Sequence, residues 1–294
     1  MWPPNRILFP IDFSERSISA ARYVRTLGCR FRPEITLMHV LPPPVYGIAS
    51  MESGPLMVAE AWEEQQRRAQ QDVAEFAARE LGPFRVHPMV LEGDPATAIV
   101  EKAHSERADL IVMATHGYAR FRRFILGSVT AKVLHDADCP VWTGAHMPAA
   151  PAAEQASQQS PIKQVVCAID LSTHSENVLD WAARLAGSFD ARLFLIHAIP
   201  ALVPAEEDYY QHGWREDLVS GAKHQLDGLQ QSVGTKAEQL IVAGDVPHTV
   251  CSQAEELGAD VLVIGRSSGS GLLGRLRTNA YAIIRGAHCP VASV

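Results

Sequence analysis

Residues 109–142 read DLIVMATHGYARFRRFILGSVTAKVLHDADCPVW, and the order of features in them decides the class of fold. The apolar run from Leu110 to Ala114 is that of a strand covered on both faces. A loop with Gly117 and the arginines Arg120, Arg122 and Arg123 follows, and a helix is predicted from Gly127-Ser128. Backbone N–H groups in such a loop and in a helix's first turn lack internal partners, so they favour an anion beyond the strand end. Phosphate suits that description.

Outward from this stretch, the same alternation continues. Toward the N-terminus, Arg6 to Asp12 is an apolar run ending in an acid, and Ser14 is placed to cap a helix with apolar positions at Ile18, Ala21, Val24 and Leu27, stopping near Gly28. A second strand, Ile35 to Val40, runs into three prolines that bar both a longer ladder and an immediate helix. A long polar helix is predicted over about Leu56 to Leu81, then a strand from Phe84 to Leu91, the turn Glu92 to Pro95, and a helix from Ala96 to about His104. The helix from Ser128 and a short strand at Cys139 to Trp142 complete the unit. Strands alternating with helices imply an α/β fold, with a parallel sheet and right-handed crossovers.

The unit then repeats. Val165 to Asp170 answers Ile7 to Asp12, Ser172 answers Ser14, and His197 answers His39, at an offset of 158 residues. Gly244-Asp245 answers Gly93-Asp94, and Ala259 to Ile264 answers Ala108 to Met113, at an offset of 151. Steady offsets of this kind mark an internal duplication. Between the copies the composition turns small and polar with two prolines, which divides the chain into a first domain over residues 1–146, a linker over 147–160 and a second domain over 161–294.

Composition excludes several classes of function. No apolar run approaches the roughly 18 residues that cross a bilayer, and the first ten residues lack the pattern of a secretion signal, so a cytoplasmic protein is expected. The net charge is −1 over residues 1–150 and −6 over 151–294, without a basic stripe, which argues against nucleic acid as a partner. Five scattered cysteines with no CxxC pair suggest reduced, mostly buried thiols, with Cys139 and Cys289 in the core. Twelve histidines include no HxH or HExxH spacing, so His39, His197 and His116 are expected to be hydrogen-bonded rings, not metal ligands. Gly269 to Gly274 spells GxGxxG, yet no Asp or Glu occurs from Val261 onward and the first βα position is wrong for a dinucleotide fingerprint.

With these residues in view, the chain resembles the universal stress protein family in its tandem form. That family has two Rossmann-like domains here, each implied to be a five-stranded parallel sheet of order 3-2-1-4-5 with helices on both faces. Its nucleotide-binding members carry G-x2-G-x9-G-(S/T) after the fourth strand. In the first copy this falls on Ala114, Gly117, Gly127 and Ser128, so three of four positions stand. In the second it falls on Gly265, Ser268, Thr278 and Asn279, and one glycine survives. The resemblance implies ATP, or AMP or ADP, in the first domain. Adenine and ribose would lie near Asp12 and Val40, ribose close to Ala114, and phosphates on Gly117, Gly127, Ser128 and the N–H of Val129. Arg120, Arg122 and Arg123 could neutralise phosphate, belong to a solvated turn, or pair with a neighbouring subunit.

A methyl at Ala114 is tolerable where the backbone is ordinary strand, but it crowds a close ribose and should weaken binding. Thr278 puts a branched side chain where phosphate needs bare backbone, and Asn279 retains some capping ability, so the second site is expected not to take ATP. Asp170 has the position of Asp12; for both, ligand contact competes with capping of the following helix. Ser128 could contact phosphate, accept it, or cap its helix. Magnesium enters only with the nucleotide. The resemblance further implies that the short last strands, Val141 to Thr143 and Val291 to Val294, pair the two domains, and that two chains can associate as a homodimer. Weak ATP hydrolysis or autophosphorylation, at Ser128 or a threonine of the loop, and a scaffold that binds no nucleotide and acts through protein partners, are the rival readings.

Overall fold

The computed structural model describes residues 2–43, 55–115, 126–144, 162–200, 210–266 and 278–294. The chain divides into two compact units, with the division after Val141, close to the end of the first repeat. In the first repeat, β1 (Arg6–Pro10), α1 (Glu15–Phe31), β2 (Glu34–Leu41), α2 (Pro55–Leu81), β3 (Arg85–Glu92), α3 (Pro95–Ser105), β4 (Leu110–Ala114), α4 (Ser128–Asp136) and β5 (Val141–Gly144) follow one another. Strands are ordered β3-β2-β1-β4-β5. All the pairings among β3, β2, β1 and β4 are parallel, with Ile7 opposite both Ile35 and Leu110. The second unit runs β6 (Gln164–Ala168), α5 (Ser175–Phe189), β7 (Arg192–Pro200), α6 (Tyr210–Val233), β8 (Glu238–Gly244), α7 (Val246–Glu256), β9 (Val261–Ile264), α8 (Thr278–Gly286) and β10 (Val291–Ser293). Its order, β8-β7-β6-β9-β10, repeats the first. The α/β parallel fold and its 3-2-1-4-5 order are those expected.

Sequence pattern explains the layers. Leu8, Phe9, Ile111 and Val112 are buried because β1 and β4 are central and covered on both faces. In the first unit α1 packs on β4 and against α2, while α3 packs against α4. The apolar stripe Ala20, Ala21, Val24 and Leu27 is the buried face of α1, as its spacing predicts. Ser14 caps this helix by accepting from the Ser17 N–H at 3.3 Å.

Two boundaries differ from expectation, each for a local reason. Helix α1 does not stop at Gly28 but runs to Phe31, where Arg32 in the left-handed region (φ 52°) donates its N–H to the Gly28 carbonyl. Gly28 is there for packing: a Cβ on it would lie 2.8 Å from the Phe84 ring. Strand β5 starts at Val141, not Cys139, because Pro140 has no N–H; its carbonyl accepts from Ile111 N at 3.0 Å instead. The thiols are less buried than expected, with Cys167 buried, Cys139, Cys251 and Cys289 intermediate and Cys29 exposed.

Candidate functional site

The C-terminal ends of β1, β2 and β4 meet the start of α4 at a cavity of about 260 Å³ inside the first unit. This is the crevice beyond the strand ends where an α/β sheet reverses its winding. Pro10, Ile11, Met38, Val40, Ile99 and Met113 give it apolar walls. Asp12, Ser17, His39, Ser128 and Thr130 add polar residues, and Ala114, Gly127 and Val129 complete its edge.

The turn after β1 positions Asp12. Ile11 N extends the ladder by donating to the Met38 carbonyl at 2.9 Å, and Phe13, at φ 62°, then swings the chain into α1. Asp12 Oδ1 accepts from Ser14 N at 3.0 Å and from the Ser17 hydroxyl at 2.6 Å, while the Asp12 N–H donates to Ser17 Oγ at 3.2 Å. The helix-entrance use of this acid is thus present in the fold, and the same residue borders the cavity. Asp170 repeats the arrangement, with Oδ1 accepting from Ser172 N at 3.0 Å and from Ser175 Oγ at 3.1 Å.

His39 lies across the gap between β1 and β2. Its Nδ1 is 2.8 Å from the Ile11 carbonyl, which can only accept, so Nδ1 carries the proton. The Phe13 ring is 4.7 Å away, centroid to centroid. His197 makes the same 2.8 Å bond to the Ile169 carbonyl. Both histidines are the hydrogen-bonded rings that their spacing suggested, half-buried in each case.

The end of the cavity opposite its apolar walls is built by β4 and α4. Gly127 is the N-cap at φ −60° and ψ 144°, ordinary extended backbone, and makes no side-chain cap. Ser128 is therefore the first helical residue and does not cap its own helix. The Gly127 N–H is already given to the Thr115 carbonyl at 2.9 Å, so Gly127 offers close backbone approach, not a donor. The first intrahelical bond is from Ala131 N to the Gly127 carbonyl at 2.8 Å. The amides of Ser128, Val129 and Thr130 precede that bond, at the positive end of the helix dipole. Thr130 Oγ1 donates to the Ala114 carbonyl at 3.0 Å, a second tie between strand and helix.

Asp94 holds the neighbouring helix. It caps α3 by accepting from Thr97 N at 3.0 Å and from the Thr97 hydroxyl at 2.6 Å, and it receives Lys132 Nζ at 3.1 Å. These hydrogen bonds, those from Thr97 foremost, pull its carboxyl down to about 2. Lys132 on α4 also donates to Thr97 Oγ1 at 2.8 Å, so the start of α3 is cross-linked to the middle of α4 beside the cavity. In the second copy Asp245 keeps the cap, accepting from His248 N at 3.2 Å, but isoleucine stands at 283 in place of the lysine.

Asp12, Val40, Ala114, Gly127, Ser128 and Val129 thus border one cavity. Gly117, Arg120, Arg122 and Arg123, with His116, lie outside the described residues. So do Ser268, the glycines from 269 to 274 and the linker. Asn279 is exposed at the second position of α8, so it does not cap that helix. Ser17, Thr130, Asp94 and Lys132 escaped the sequence reading. Only Asp94 carried a signal, as an Asp-Pro pair opening a helix.

A model of the universal stress protein family matches residues 4–143 and again 161–294. A universal stress protein of Methanocaldococcus jannaschii is 36% identical over 138 residues, 47% of this chain and 79% of its own length. One from Mycolicibacterium smegmatis is 27% identical over 282 residues, 92% of this chain and 90% of its own. Among solved structures, a universal stress protein from Archaeoglobus fulgidus covers 98% of the chain and is itself covered to 95%, with a TM-score of 0.66 at 22% identity, a likeness of fold. Two successive matches over nearly all of the sequence, on two copies of one α/β fold, show that this chain belongs to the universal stress protein family, with two such domains in tandem.

Proposed function

We propose that the first domain binds an adenine nucleotide, ATP or its AMP or ADP relatives, and that the protein works as a nucleotide-responsive module of a stress response. The observation that carries this reading is the cavity itself. One end is apolar with the Asp12 carboxylate and the end of β2, suited to a base and a ribose. The other presents the first-turn amides of α4, suited to phosphate. Magnesium enters as the counter-ion of the triphosphate.

The second domain is read as not taking ATP, because α8 opens with Thr278 where α4 has a glycine before it. Domain limits at 1–146 and 161–294, a cytoplasmic location, pairing of the two domains through their short last strands and further association as a homodimer belong to the same reading. None of the described helices is long and apolar enough to cross a membrane.

Gly127 supplies the test. Its backbone angles suit any residue, so Gly127→Val should fold while placing a branched side chain at the phosphate end of the cavity. Calorimetric titration with Mg-ATP should give binding by the wild type and at least about a hundredfold loss in the variant, a change of about 2.8 kcal/mol. Equal affinities, or no heat from the wild type together with no co-purified nucleotide by native mass spectrometry, would refute the reading.

A further inference from the structure

Met113 and Ala114 both border the cavity, yet successive side chains of a strand point to opposite faces. The duplicate copy tells which way residue 114 points. Gly265 is its equivalent, and a Cβ placed on Gly265 would lie 3.1 Å from Val178 Cγ2, on α5. That contact is closer than the roughly 3.5–4.0 Å at which carbon atoms normally rest. The second copy therefore combines a glycine at the strand end with a valine on the helix that covers it.

The residue 158 positions before Val178 is Ala20, on α1, which packs on β4 and is 2% exposed. The first copy thus combines alanine with alanine. By this correspondence the Ala114 methyl faces the Ala20 position of α1, where the short Ala20 side chain leaves it room.

Resting on the reading of the first domain as a nucleotide site, we propose that Ala20 is a positioning residue for that site, paired in size with Ala114. The coupling runs through the backbone. The Ala114 carbonyl accepts from Thr130 Oγ1 and the Thr115 carbonyl accepts from Gly127 N, so the end of β4 fixes where the first turn of α4 lies. A larger side chain at 20 would press on the Ala114 methyl and displace that strand end. The phosphate-binding amides would move with it. Ala20 does not itself line the cavity.

A double-mutant cycle in the full-length protein tests this, using Ala20→Val, Ala114→Gly and the pair together. Mg-ATP titrations are made well below the unfolding range, where every variant is folded, and urea unfolding is followed on the same four proteins. Ala20→Val should weaken ATP binding roughly tenfold, and the double variant should return to within about threefold of wild type, because it recreates the glycine–valine pair of the second copy. Undiminished affinity in Ala20→Val, or no rescue in the double variant, overturns the proposal. If the wild type takes no ATP, the nucleotide reading has failed by itself. The urea cycle still decides the pairing: additive effects on stability refute it, and a destabilised Ala20→Val recovered by Ala114→Gly sustains it.

Discussion

Replacing Thr130 with valine isolates one bond of the candidate site. Thr130 is 3% exposed, and its hydroxyl donates to the Ala114 carbonyl at 3.0 Å. Valine has nearly the same shape and similar helix propensity, so neither a cavity nor a propensity change accompanies the loss. What disappears is a neutral, sheltered hydrogen bond whose acceptor stays behind, a cost of about 1–2 kcal/mol. Of the two described ties between the end of β4 and the start of α4, the one from Gly127 N to the Thr115 carbonyl remains. The urea midpoint should therefore fall by the amount corresponding to 1–2 kcal/mol, about 0.5–1 M at a slope of roughly 2 kcal/mol per M. Hydrogen exchange should place the loss of protection in α4. Where ATP binds through the same turn, its affinity should fall roughly tenfold, because a loosened turn must be reordered on binding. An unchanged midpoint with unchanged exchange in α4 would refute the claim that this bond holds the helix start in place.

Acid should weaken the cross-link at the start of α3. Asp94 is lowered in the folded protein from the ordinary 3.8 to about 2, so its contribution is fully present above the ordinary value and is lost as pH falls through about 2. Asp94→Asn should accordingly flatten the stability profile between pH 4 and pH 2, and an identical acid limb in wild type and variant would contradict this. Thiol labelling at pH 8 should modify the exposed Cys29 first. Burial pushes Cys251 up to about 11 and Cys289 up to about 12, and pushes the fully buried Cys167 higher still, so these should follow late, Cys167 only on unfolding. Labelling of Cys167 as fast as of Cys29 in mass-mapped peptides would contradict the packing of β6.

Apolar runs and their spacing were enough to read the order of elements, because central parallel strands and amphipathic helices write their burial into composition. The limits of those elements were less legible where tertiary contact, not local preference, sets them. Gly28 looks like a helix stop and is a close approach to Phe84; Cys139 looks like strand and is turned out of the ladder by Pro140. The residues bordering the cavity were legible where the family motif names them, at Gly127 and Ser128, and in the acid that follows β1. It was not legible where the function of a residue is to hold another. Ser17 and Thr130 are ordinary helix residues in sequence, and only the folded chain brings their hydroxyls to Asp12 and to the Ala114 carbonyl. Even the significance of Ala114 depends on Ala20, 94 positions away in the chain and visible only through the repeat.

The two histidine braces give the molecule a calibration of its own. His39 and His197 make the same bond at the same distance in the two copies, one beside the candidate nucleotide cavity and the other in the copy whose motif has eroded. Their imidazole resonances form a reporter and a reference within a single polypeptide, exposed to identical pH, salt and temperature. A signal shift confined to His39 would assign an added compound to the first crevice, while a parallel shift of both would expose a bulk-solvent effect. Duplication has in this way left the protein with a spectroscopic blank built into its own chain.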